Sequence, residues 1–286
     1  MKRIIKKMYM NILYYIFSKK DAHRILYYKN FKKKLDIDNP KNFNEKIQWL
    51  IVNKYGTKEA ELTDKYLVRE YIKKRGYENI LTKVYGVYEN VDDIDINRLP
   101  DKFVLKANNG SGNVCICQNK EEFKFNESKK ILKKEIRKNY AKELLEYHYK
   151  YIKPKIICEE YLEENNKKNP LDYKFYCYDG KVECILLCSE REKELKLDYY
   201  DLEWNYLNYS KEKYRSTKKI NKPQNLKNMV QIASDLSLGF PFVRIDLYNL
   251  NGKIYFGEMT FTPAAGLVYY NTEDALVKLG NYIKIK

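Results

Sequence analysis

The sequence predicts an α+β protein in which mostly antiparallel strands carry helices packed on them. Three observations predict it. Apolar runs of strand length recur between Leu81 and Cys188. Two hairpin signals, Asp179-Gly180 and Asn251-Gly252, each sit between such runs. Longer stretches with helical spacing stand before and between the strands. At 286 residues and 44% apolar content, the chain can bury a sizeable core as one large domain or two small ones.

In order along the chain, PKNFNEKIQWLIVNK (residues 40–54) opens on Pro-Lys-Asn and then spaces Phe43, Ile47 and Leu50/Ile51 as a helix does. A second helix is expected over Thr63–Gly76, with Thr63 as N-cap, Asp64 in the first turn and Gly76 as the stop. Strands are expected at Leu81–Tyr88, Phe103–Lys106, Val114–Gln118, Ile156–Tyr161, Tyr173–Tyr178 and Val182–Cys188. A helix is expected at Ser128–Lys150, and another from Pro223 to Phe240 that starts at proline and closes at Gly239. The last element is a hairpin inside VRIDLYNLNGKIYFGEMTFTPAAG (Val243–Gly266). No internal repeat or low-complexity linker interrupts this order.

The amino terminus, MKRIIKKMYMNILYYIFSKK, has basic flanks around a short apolar run, Met8–Phe17. The run is too short to span a bilayer, and no small-residue cleavage site follows it. It reads as a docked helix, a basic amphipathic helix on a membrane surface, or a signal peptide. The formal net charge of +16 points to a phosphate-rich ligand, a polyanion or a membrane surface, while AT-biased coding would also enrich Lys, Asn, Ile and Tyr. Nucleic acid is not the expected partner. The six cysteines (115, 117, 158, 177, 184 and 188) form no Cys-x-x-Cys pair and lie far from His23 and His148. Buried free thiols are therefore expected, as in a reducing cytoplasm, and a structural zinc site is not.

Four segments can carry chemistry. In FVLKANNGSGNVCIC a strand delivers Lys106 to the loop Asn109-Gly110-Ser111-Gly112-Asn113. Glycines let backbone N–H groups approach an oxyanion, and a lysine supplies a point charge for phosphate. Gly-Lys-Ser/Thr is missing, so this is no Walker loop, and a plain turn is the competing reading. KIICEEYLEE brings acidic residues and Tyr161-Leu162 to a strand end, and LDYKFYCYDGKVECILL places Asp172 and Lys174 on one strand face. The final hairpin places Arg244 with Asp246, and Glu258 with Thr260, on shared faces by period two. Carboxylates among apolar residues are costly unless water, a cation or hydrogen bonds compensate them. A three-residue loop would align Asp246 with Glu258, whereas a two- or four-residue loop needs a bulge. Aligned, the acids and the Thr260 hydroxyl suit Mg²⁺. Unaligned, they line a wet face.

Together and in order, NFNEKIQW, LTDK, LPDKFVLKANNGSG, IICEEYL, DYKFYCYDGK and VRIDLY…YFGEMTFTPAAG resemble the TupA-like branch of the ATP-grasp superfamily, typical of bacterial surface-polysaccharide gene clusters. The resemblance implies two α+β subdomains clamping ATP between antiparallel sheets. It divides the chain into a basic helical segment (1–39), an amino-terminal subdomain (40–98), a small subdomain with a glycine-rich lid (99–162) and a large subdomain with the metal site (163–286). It implies that Lys65 and Lys106 contact ATP phosphates, that residues 109–113 fold over them, and that Glu159, Glu160, Tyr161 and Leu162 hold adenine chiefly through the main chain. Asp246, Glu258 and Thr260 would hold Mg²⁺, with Thr260 where many relatives carry Asn. The implied reaction is carboxylate–amine ligation through an acyl phosphate, with Lys174, Arg191 and Arg244 as its catalytic candidates. A uronic acid, amino acid or peptide is the implied acid, and the implied location is the cytoplasm or the inner face of its membrane. Three rival readings are a kinase on the same scaffold, a glycosyltransferase, for which Asp93-Ile-Asp95 is an Asp-x-Asp triplet, and a non-catalytic binder of a polyanion or membrane.

Overall fold

The computed structural model describes residues 2–110, 113–163, 171–190, 194–218 and 220–285. The helices are α1 (Lys2–Ile16), α2 (Lys19–Phe31), α3 (Phe43–Asn53), α4 (Thr57–Thr63), α5 (Val68–Lys74), α6 (Phe125–Glu135), α7 (Tyr140–Glu143), α8 (Leu226–Ser237) and α9 (Glu273–Tyr282). The first sheet holds β1 (Val84–Tyr88), β2 (Phe103–Ala107), β3 (Cys115–Cys117) and β4 (Ile156–Glu160), in the order β1-β4-β2-β3. The second holds β5 (Asp172–Tyr178), β6 (Lys181–Ser189), β7 (Lys196–Tyr200), β8 (Tyr206–Leu207), β9 (Val243–Leu250) and β10 (Lys253–Thr260), in the order β10-β9-β5-β6-β7-β8. Both sheets are antiparallel throughout.

One side of the second sheet carries Lys174, Arg244, Asp246 and Glu258 beside the buried Tyr176, Leu186 and Tyr199, and the other side is apolar. Alternation puts Tyr173, Phe175, Ile245, Leu247 and Met259 in the core, and α8 packs on β5, β6 and β9. The first sheet has its own smaller core, in which Phe103, Leu105, Ile156 and Cys158 meet Leu132 of α6. All six cysteines are buried and free, as their apolar surroundings predict.

Helix α3 starts at a capping box: the Asn42 side chain accepts from the Glu45 N–H, and the Glu45 carboxylate accepts from the Asn42 N–H. It then holds a segment more than 200 residues away. Asn44 exchanges two 2.9 Å bonds with the Val268 main chain, and Gln48 Nε2 donates to the carbonyls of Ala265 and Gly266. The segments NFNEKIQW and FTPAAG are therefore one structural unit, which fixes the exit of β10.

Several elements depart from the sequence reading. Thr63 is not an N-cap: α4 ends there, and Asp64 Oδ1 accepts the Tyr66 and Leu67 N–H groups, so a turn separates α4 from α5. The helix expected over residues 128–150 is broken, because Asn139 accepts from the Lys142 N–H and starts a new turn. Strands β7 and β8 and helix α4 were not expected. In β7 the buried Asp198, which accepts from the Ser216 N–H at 3.1 Å, interrupts the apolar pattern. Helix α1 packs on α2 and α7 with Met10 and Leu13 buried, as a docked helix does.

The β9–β10 turn has two residues, Asn251 and Gly252, both with positive φ (49° and 79°). A two-residue turn alone would set Asp246 opposite Gly257. A bulge between Phe256 and Glu258 instead pairs Asp246 with Glu258 and Arg244 with Thr260. A Cβ at Gly257 would lie 3.0 Å from the Asp246 carbonyl oxygen and 3.2 Å from the Tyr248 ring. Gly257→Ala is thus expected to destabilise the protein by about 1–3 kcal/mol. Urea unfolding measures this, and an unchanged midpoint would show that the bulge yields without cost.

Candidate active site

Register places charged groups in rows across three adjacent strands. Lys174 pairs with Asp246, and Asp246 with Glu258. One step along, Tyr176 pairs with Arg244, and Arg244 with Thr260. Opposite them stand Lys106 at the end of β2 and Asn109, Gly110 and Asn113 of the glycine loop. Lys174, Arg244, Asp246, Glu258, Lys106, Asn109, Gly110 and Asn113, with Lys65, line one cavity of about 420 Å³ between the sheets, whereas Thr260 stands behind its lining. The cavity thus gathers most of the residues expected at the site. Ser111, Gly112 and Arg191 lie outside the described residues.

Arg244 grips Asp246 with two 2.7 Å bonds, from Nε and Nη2. Its Nη2 also reaches Glu258 Oε1 at 3.2 Å and Thr260 Oγ1 at 3.1 Å. Thr260 donates to Glu258 Oε1 at 3.1 Å. Lys174 bridges Asp172, at 2.6 Å, and Asp246. Lys65 pairs with Glu258 Oε2 at 2.8 Å. The two acids do not face each other as bare charges: Lys65, Lys174 and Arg244 balance Asp172, Asp246 and Glu258 one for one.

Electrostatics follow from that packing. Burial opposes ionisation of Glu258, but Lys65, Lys174 and Arg244 overcome it and hold its carboxyl well below the usual range. For Asp246 burial dominates and pushes the carboxyl up, against Arg244 and Lys174. Burial and Arg244 pull the Lys174 ammonium down, yet Asp246 and Asp172 outweigh them and raise it.

In the first sheet, Lys106 pairs with the buried Glu159 at 2.6 Å, and Arg69 lies 3.9 Å from the same carboxylate. Glu159 thus enters the site as a counter-ion through its side chain. Glu159 and Glu160 pair within β4, and the Glu160 N–H donates to the Lys83 carbonyl, whereas Tyr161 and Leu162 follow the strand. The glycine loop is tied down at its flanks. Asn113 donates to Glu135 at 2.9 Å, Asn109 to the Lys138 carbonyl at 3.5 Å, and a Cβ at Gly110 would lie 2.5 Å from the Tyr140 ring.

Sequence reasoning missed Asn108. Its side chain donates to Asp64 at 2.7 Å and accepts from the Lys155 N–H, while its carbonyl accepts from the Lys65 N–H. This buried amide ties Lys65 to the strand that carries Lys106, and the only signal was its place in LKANNG. Asp172 was read as a strand-face acid and proves to be the second partner of Lys174. The Asp93-Ile-Asp95 triplet lies outside the cavity, and Asp95 accepts from the Asn97 N–H in a short turn.

The donor set suits Mg²⁺, since two carboxylates and a hydroxyl project from neighbouring strands. Among the described residues no three His, Cys, Asp or Glu side chains gather as a ligand cage, so substrate phosphates would have to complete the shell.

Two antiparallel sheets facing each other across an ionic cleft, with Asn109, Gly110 and Asn113 at its edge, are the architecture of an ATP-grasp protein. The chain belongs to the TupA-like ATP-grasp family, whose model matches residues 45–284. No curated protein matches it. Among solved structures it is similar to D-alanine–D-alanine ligase from Bacillus anthracis complexed with ATP, at 14% identity and a TM-score of 0.46, over 78% of this chain and 64% of that one. The D-alanine–D-alanine ligase from Helicobacter pylori shows 12% identity and a TM-score of 0.46, over 86% and 68%. The L-amino acid ligase from Bacillus licheniformis shows 12% and 0.46, over 73% and 45%. The chain thus spans 64% of the B. anthracis ligase's length and 45% of the B. licheniformis ligase's. The family assignment rests on the family model.

Just beyond β10, Thr262 donates to Glu146, a buried carboxyl that burial pushes up to about 8. A raised acid is neutral in the folded protein. Its stabilising contribution is complete below its ordinary value of 4.5 and is lost as pH rises toward about 8. The melting temperature of the parent protein should therefore fall relative to that of Glu146→Gln between these pH values. Parallel melting curves across that range would refute a neutral buried Glu146.

Proposed function

We propose that this protein is an ATP-dependent carboxylate–amine ligase. The observation that carries the reading is the Lys174–Asp246–Glu258 row facing Lys106 and the glycine loop across one cleft. Such a cleft is suited to a polyphosphate with its cation. Lys106 and Lys65 bind phosphate oxygens, and the amides of residues 109–113 cap them. Tyr161 and Leu162, just past the end of β4, meet the adenine edge. Mg²⁺, held by Asp246 and Glu258 with Thr260 beside them, would neutralise charge on the transferring phosphoryl group.

In this reaction a carboxylate oxygen attacks the γ-phosphorus, and ADP leaves. An amine nitrogen then attacks the acyl carbon, phosphate departs, and the nitrogen loses a proton to give the amide. The first step brings two anions together, and the second builds negative charge on the tetrahedral oxygen and the departing phosphate, so alignment and cationic donors are the protein's contribution. Lys174 and Arg244 also line a neighbouring cavity of about 430 Å³, walled by Tyr214, Tyr269, Tyr270 and leucines. The acid binds there with its carboxylate on Lys174 and Arg244. Its identity is proposed from the family resemblance: a uronic acid, amino acid or peptide destined for a bacterial surface polysaccharide. Among the described residues no side chain in the cleft is placed as an obvious base, so the amine enters unprotonated.

Hydroxylamine provides the test, because it captures an acyl phosphate as a hydroxamate. ADP release that depends on an added acid, together with hydroxamate, is the expected result. A stable phosphate ester instead would make the protein a kinase and overturn the ligase reading.

Lys106→Ala should keep the fold and raise the Kd for ATP about tenfold or more, as loss of a charged hydrogen bond implies. Isothermal titration with ATP and Mg²⁺ measures it, and unchanged affinity would remove Lys106 from the phosphate site. Glu258→Gln should cut turnover at least about a hundredfold. It should also cost about 1–3 kcal/mol of stability, since Lys65 and Arg244 lose a partly buried charged partner. Full activity in that variant would refute the role given to the row.

A further inference from the structure

Helix α1 has two apolar faces, and only one is used inside the protein. Met10 and Leu13 point into the core. At 3.6 residues per turn, Ile4, Tyr15, Met8, Ile12, Ile5 and Ile16 fall within one arc of about 120° on the outer side. Five of these are 60–72% exposed and Ile12 is 46% exposed. An unbroken apolar stripe of this kind on a surface helix marks a contact.

The ground beside the stripe is cationic. A shallow cavity of about 420 Å³ next to α1 is lined by Lys7, Lys130, Lys133, Lys134, Arg137 and Lys138, with Glu143 as its one acidic wall residue. Lys133 and Lys138 are paired with Asp92 and Glu135. Lys7, Lys130, Lys134 and Arg137 are exposed and have no ion pair among the described residues. A second copy of the chain, itself at +16, would bring like charge to this ground. An anionic bilayer brings headgroup phosphates to the lysines and acyl chains to the stripe. At 15 residues α1 lies on such a surface rather than crossing it, and no helix among the described residues is long and apolar enough to cross.

We propose that α1 and the basic ground beside it dock the protein on an anionic membrane surface, with the Ile4–Ile16 stripe inserted at the acyl boundary. The proposal is independent of the ligase reading.

Sedimentation of the full chain with phosphatidylcholine vesicles, with and without phosphatidylglycerol, tests it. Association is expected only with phosphatidylglycerol. It should be lost near 1 M salt, where the screening length is about 3 Å. Two exposed-site variants, Ile5→Ser/Ile12→Ser/Ile16→Ser and Lys7→Glu/Arg137→Glu, should each weaken association at least about tenfold while leaving circular dichroism and melting unchanged. No association with anionic vesicles at low salt would overturn the proposal. So would equal binding to both vesicle types with no effect of the charge reversals. A dimer that the isoleucine variant dissolves would assign the stripe to a second copy instead.

Discussion

The grip of Arg244 on both oxygens of Asp246 is the contact on which the rest of the site depends. It lets a carboxylate sit almost fully buried in the middle of a sheet, where an unpaired charge would be untenable. From that pair the others follow across the strands. Lys174 has two acids to bridge, Glu258 shares the same guanidinium, and Lys65 closes the far end. The charged groups of the cleft therefore form an ionic lattice in which acids and bases are paired. On the proposed ligase reading, phosphates would replace the acids as partners of the lysines and a cation would replace the lysines as partner of the acids, an exchange of partners that keeps the charges paired.

The lattice is supported from behind by ordinary packing. The alternate residues of β5 and β9 are apolar and sit beneath α8. Helix α3 fixes the exit of β10 through two amide side chains. The first sheet repeats the logic on a smaller scale, with Lys106 neutralised by Glu159 over a core of Phe103 and Leu105. Each wall of the cleft is thus a charged face on an apolar layer, which is why short strands suffice to hold it.

Much of this was legible in the sequence because it has period two. Asp172 with Lys174, Arg244 with Asp246, and Glu258 with Thr260 could be put on shared faces by counting, and Asn251-Gly252 announced the turn. What counting could not supply was the bulge at Gly257. A glycine in a strand looks the same whether it adds a residue to the ladder or not, and the alignment of the two acids hung on it. The partners of Lys65 were equally hidden, since Glu258 and Asn108 reach it through tertiary structure alone. Where the reading went wrong, a polar side chain had taken over local geometry. Asn139 starts a new turn in a stretch that periodicity read as one helix to Lys150, and Asp198 disguised a buried strand. The six-motif order identified the family because it encodes spatial adjacency that no single segment shows.

The tract between α6 and α7 touches two parts of the molecule that share no chemistry. On one side Glu135, the Lys138 carbonyl and the Tyr140 ring hold the glycine loop. On the other, α7 packs against α1, and Lys142 bonds the Tyr15 hydroxyl. One short tract of chain thus joins the outer helix to Asn109, Gly110 and Asn113 at the edge of the cleft.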